Sequence, residues 1–135
     1  MRRTIFLFCL SFFIFSIELS AQNFSGTWGY KIDGNYITLY GDKIQNQNNG
    51  GRTGTLKVAI WATNHRYNGG TINGYNLYEY QLDPLDAGYH YYDISQTGWG
   101  TYPPSGSYHL TILLLEYDYE YKIVDYISMD GYTRF

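Results

Sequence analysis

The chain has one cysteine and three prolines among its 135 residues, and only 16% of them are charged. A single thiol makes no internal disulfide, so a disulfide-stapled scaffold is excluded and stability has to come from packing. Cys9 lies in an apolar run, so the rest of the chain also has no cysteine with which to bind a structural metal. After residue 22 no long stretch repeats its apolar positions every 3.6 residues, which excludes an amphipathic helix bundle. Basic clusters are absent too. Once Arg2, Arg3 and Glu18 are set aside, seven Lys and Arg face eleven Asp and Glu, and this mildly acidic balance argues against nucleic acid or an anionic membrane as partner. No G-x-S-x-G elbow, P-loop or G-x-G-x-x-G fingerprint occurs.

At the N-terminus, Arg2 and Arg3 precede an apolar run from Ile5 to Ile17, and the small residues Ser20 and Ala21 follow it. This is the layout of a signal peptide over residues 1–21, removed after Ala21. The run is too short for a transmembrane helix, which needs roughly 20 apolar residues. The expected organisation is a leader followed by one domain over residues 22–135, which is secreted, periplasmic or held at the cell surface and has no transmembrane segment of its own. Cys9 leaves with the leader.

The remaining sequence alternates with period two. Leu56, Val58, Ile60 and Ala62 fall on one face of a strand and Lys57, Ala59 and Trp61 on the other. Further strands are expected over residues 26–31, 36–40, 43–47, 76–82, 89–95, 107–117 and 122–129, with Asp33-Gly34 and Asp83 to Gly88 as turns. Ile112 to Leu115 are consecutive apolar residues that cannot alternate, so this strand should be covered on both faces, with the loop around Trp99 and Tyr102 as the second cover. Many short strands without helices point to an all-β fold, an antiparallel immunoglobulin-like β-sandwich of seven to eight strands. A transmembrane β-barrel would need about 9 to 11 residues in each spanning strand, which this turn-rich stretch does not supply.

Asp42-Lys43-Ile44-Gln45-Asn46, followed by Gly50-Gly51-Arg52-Thr53-Gly54-Thr55-Leu56-Lys57-Val58, resembles the second and third strands of bacterial immunoglobulin-like modules of the CARDB type, the cell-adhesion-related domain. The likeness extends more loosely to Thr111–Leu115. It implies a non-catalytic accessory or adhesive role, with no cofactor.

All seventeen tyrosines and all three tryptophans lie after residue 21. Aromatic rings with one polar end suit half-solvated sheets, and exposed ones bind sugar faces or partner chains. The candidate ligand-binding set is Trp61, Tyr67, Trp99 and Tyr102. Trp99 lies in a glycine-bounded segment, either as an exposed ring or as a plug over the end of the sandwich. Trp61 is either outward or covered by the Asn64 to Gly74 loop, and Trp28 belongs in the core.

His65, His90 and His109 fall in separate segments without metal-ligand spacing, so no metal site is expected. Asp118, Glu120, Asp125 and Asp130, and the pair Asp83 and Asp86, lack the order of a calcium loop and read as turn residues. Glu79 reads as solvated, and Glu116 as a strand-end charge in preference to a catalytic acid. The function expected is therefore surface interaction or adhesion through a protein or glycan partner, without enzymatic activity. The alternative is a carbohydrate-binding module using the exposed aromatics.

Overall fold

The computed structural model describes residues 22–135, so the leader expected over residues 1–21, Cys9 included, lies outside the described residues. Eight strands follow in order: β1 (Gln22–Asp33), β2 (Tyr36–Asn46), β3 (Leu56–Thr63), β4 (Tyr75–Leu82), β5 (His90–Trp99), β6 (Ser107–Asp118), β7 (Glu120–Ser128) and β8 (Thr133–Arg134). All pairings are antiparallel. One sheet has the order β1-β2-β5 and the other β4-β3-β6-β7, with β8 pairing β6 at Ser107 and Tyr108. The chain is an immunoglobulin-like β-sandwich. It differs from the constant-type strand arrangement in its fourth strand, which pairs with β3 and not with β5. Among the described residues no helix is long and apolar enough to cross a membrane.

The core is built from the alternation visible in the sequence. Leu56, Val58, Ile60 and Ala62 of β3 meet Ile37, Leu39 and Ile44 of β2 and Leu110, Ile112 and Leu114 of β6, all buried. Trp28 is buried with them, as expected. Tyr108, near the start of β6, is buried and its hydroxyl donates to the Pro104 carbonyl at 2.7 Å. This backward bond is the tyrosine corner of immunoglobulin-like sandwiches.

Several strand boundaries differ from the sequence reading, β1 for instance beginning at Gln22 and not at Gly26, and two of the differences have a clear physical reason. Residues 36–40 and 43–47 belong to one strand, because Gly41 and Asp42 accommodate a bulge and do not form a turn. Opposite them, β1 shifts register between Ser25 and Trp28, with Gly26 left-handed at φ 76°. The Asp42 carboxylate accepts the Thr27 amide at 2.7 Å. The Trp28 ring lies against Gly41 where any Cβ would stand. The second difference is β5, which continues through Thr97 and Gly98 to Trp99, so Trp99 ends a strand instead of lying in a loop. Gly98 fits there because the Tyr78 ring packs over it.

Leu113 is buried on the outer face of the five-stranded sheet, confirming that β6 is covered on both sides. The cover is not the Trp99 and Tyr102 segment expected to supply it. The connection between β3 and β4 folds back instead, and Tyr67 and Ile72 pack on Ala59, Leu113 and Trp61.

The crossover loops close one end of the sandwich. Thr53 N–H donates to the Leu85 carbonyl at 3.0 Å and Leu85 N–H to Thr53 Oγ1 at 2.9 Å, which holds the buried Leu85 side chain as a plug. Asn46 is buried beside them, with its amide nitrogen on the Leu85 carbonyl at 2.9 Å. The Ile44 and Asn46 pattern is thus structural, one residue filling the core and the other tying down a loop.

Candidate recognition surface

The four aromatic residues expected to bind ligand do not form one site. Tyr67 is buried under its own loop: its hydroxyl donates to the Gly70 carbonyl at 2.6 Å, its ring meets Tyr126 edge-on at 4.8 Å, and its carbonyl accepts Ser128 Oγ at 2.6 Å. Burial, with Tyr126 beside it, pushes the Tyr67 hydroxyl above the usual tyrosine range. Trp61 is half-buried on the same sheet and packs against this small cluster. Tyr102 is half-buried in the segment between β5 and β6, where its hydroxyl donates to the Gly34 carbonyl at 2.7 Å and its ring packs on Phe135 at 5.7 Å. The plug considered for Trp99 is therefore supplied by Tyr102. Trp99 itself is 65% exposed and meets Tyr36 edge-on at 5.5 Å.

Trp99 belongs to a surface that the sequence reading did not assemble, the outer face of the three-stranded sheet. Strand β2 turns Ile37 and Leu39 inward, which leaves Tyr36, Thr38 and Tyr40 outward, and β5 places Trp99, Thr97 and Ser95 directly opposite them. Thr38 and Thr97 share a hydrogen bond between their hydroxyls at 2.6 Å. Beyond Asp42 and Asp93 the alternation of both strands skips a residue, with Asp93 left-handed at φ 48°, so that Tyr92 and Lys43 become the next outward pair. The Lys43 ammonium lies 5.7 Å from the centre of the Tyr92 ring. Tyr36, Tyr40, Tyr92 and Trp99 are all exposed. Tyr40 lies over Gly29 on β1, its ring occupying the space that a Cβ there would need.

The other sheet face is different in kind. An open groove of about 680 Å³ runs between β7 and the folded-back loop, lined by Tyr67, Gly70, Tyr121, Ile123 and Tyr126. A smaller cleft of about 300 Å³ lies where β4 approaches the end of β5, between Asn76, Glu79, Thr101 and Trp99. Desolvation alone would raise the Glu79 carboxyl, but Lys57 at 2.7 Å and the Asn76 amide at 2.7 Å outweigh it and hold the group below its ordinary range.

Several of the other carboxylates and histidines have local roles. Glu116 accepts the Gly54 N–H at 2.9 Å, Asp86 pairs with Arg52 at 2.6 Å and Asp118 with Lys122 at 3.2 Å. Asp125 accepts the Phe24 N–H at 2.8 Å, joining the edge of one sheet to the other. His90 shares a hydrogen bond with Tyr92 at 3.2 Å, and His109 stacks on Tyr132 at 4.2 Å. Among the described residues no group of three His, Cys, Asp or Glu side chains comes together to hold a metal ion.

No protein-family model, no curated protein and no solved structure matches this chain.

Proposed function

We propose that this chain is an exported, non-catalytic β-sandwich module that recognises a partner at the cell surface through the outer face of its three-stranded sheet. The observation that carries this reading is the gathering of Trp99, Tyr36, Tyr40 and Tyr92 on one open face, all exposed, while the other sheet's outer face is partly roofed by the chain's own loop. Large aromatic rings left in solvent are the usual anchors of recognition surfaces. The resemblance of residues 42–58 to CARDB-type modules supports an accessory role, and the leader-like N-terminus supports export.

The test is binding of the purified, fluorescently labelled protein to the envelope fraction of the cells that produce it. Trp99→Ser with Tyr36→Ser should abolish saturable binding, while Tyr117→Ser on the other sheet should leave it unchanged. Equal binding by all three proteins, with melting temperatures preserved, overturns the assignment of the face.

A further inference from the structure

We infer that the ligand of this face is an extended, neutral polysaccharide lying along β2 and β5; the inference rests on the recognition reading above and narrows it to one chemistry.

Every large hydrophobic side chain exposed on the described residues is a tyrosine or a tryptophan, with no leucine, isoleucine, valine, phenylalanine or methionine among them. The buried centre of a protein–protein interface excludes water by close apolar packing. Here the rings are separated by groups that stay hydrated: the Thr38 and Thr97 hydroxyls, Ser95 and the Lys43 ammonium. A sugar ring matches such a surface. Its C–H face stacks on an aromatic face, and its equatorial hydroxyls need donors and acceptors at the rim.

Tyr40 shows that the platform is built in advance. A Cβ on Gly29 would stand 2.7 Å from the Tyr40 hydroxyl and 2.9 Å from the adjacent ring carbon, so the ring lies down against the β1 backbone. With one side of the ring on the sheet and the residue 44% exposed, the other side faces solvent. A ring held this way loses little freedom when a ligand stacks on it.

Spacing gives the ligand its shape. At ~3.4 Å per residue, Tyr40 lies about 14 Å along the sheet from the Tyr36 and Trp99 pair, and the Tyr92 rung about 10 Å further on. A row of rings spread along the open face of a sheet suits the interior of a long linear chain better than a single sugar. Charge makes it neutral. Lys31 and Lys43 are interspersed with Asp33, Asp42 and Asp93 on and around the face, so a polymer of one sign would meet repulsion as well as attraction.

Native affinity electrophoresis of the intact purified protein in gels containing hydroxyethylcellulose, xylan, glucomannan or laminarin tests this, with alginate as the charged comparison. The inference expects retardation by at least one neutral polysaccharide. Trp99→Ala and Tyr40→Ala should each weaken it about tenfold or more, and Tyr117→Ala less than about twofold. Gly29→Ala retains every aromatic residue but lifts the Tyr40 ring, and it should weaken binding in a protein that still melts cooperatively. Migration unaffected by all four neutral polymers, or retardation by alginate alone, overturns the inference. Failure of the broader reading is separable from this. Envelope binding that still depends on Trp99 but survives periodate oxidation of the glycans leaves the recognition face standing and removes the polysaccharide. Envelope binding indifferent to Trp99 and Tyr36 removes both.

Discussion

Trp28 and Gly41 act as one packing unit. The indole is buried because the strand beneath it has no side chain at residue 41, and its Nε1 donates to the Lys43 carbonyl at 3.3 Å. Gly41→Ala should therefore destabilise the protein by about 1–3 kcal/mol through overpacking, read as a lower urea midpoint at unchanged m-value. Glu79 makes a smaller, pH-dependent contribution. Its folded-state carboxyl is held below the ordinary range, so its contribution is complete above the unfolded-state pKa and is lost as pH falls through the folded-state value. The pair with Lys57 is partly exposed, which limits the difference between wild type and Glu79→Gln to about 1 kcal/mol or less near neutrality. Urea titrations of the two proteins at descending pH should converge in acid, and a gap that widens there contradicts the ion-pair assignment.

At the scale of elements, β6 is the strand on which the sandwich depends. Leu114 faces the opposing sheet and Leu113 the folded-back loop, and both are fully buried. Leu113→Ala and Leu114→Ala should each cost about 2–5 kcal/mol in denaturant unfolding. A neutral Leu113→Ala would mean that the loop carrying Tyr67 does not cover the sheet in solution. The run Ile112 to Leu115 revealed this double burial in the sequence, because four consecutive apolar residues cannot alternate. The second cover was legible only in part: the Asn64 to Gly74 loop was one of two alternatives for Trp61, but it was not connected with Leu113. Asn68-Gly69-Gly70 reads as a solvated turn, and period-two reasoning carries no information about a loop side chain that folds back onto a sheet. Gly41-Asp42 misled in the opposite sense, since a glycine that makes room for an indole is indistinguishable in sequence from one that makes a turn.

For the whole molecule, recognition through a face is favoured over recognition through an edge. The edge strands are β1, β4, β5 and β7. Register shifts interrupt β1 at Gly26, β4 at Leu77 and β7 at Val124, and β5 carries the left-handed Asp93. Such irregularities discourage the addition of a further strand. The sandwich itself was legible from strand number, alternation and the absence of helices. The aromatic face proposed for recognition was legible only through Trp99. Tyr36 and Tyr40 alternate outward within an expected strand, but with seventeen tyrosines in the chain an outward tyrosine singles out no surface until the sheet faces left uncovered are known.

The three tryptophans allow a direct test, because Trp28 is in the core, Trp61 on the five-stranded sheet and Trp99 on the three-stranded one. Indole N–H resonances of the ¹⁵N-labelled protein, followed by NMR while the polysaccharide that retards it most is titrated in, report the three places at once. The account predicts that the Trp99 resonance shifts saturably while those of Trp28 and Trp61 stay in place. A shift of Trp61 with Trp99 unmoved would put the ligand on the other sheet and contradict it.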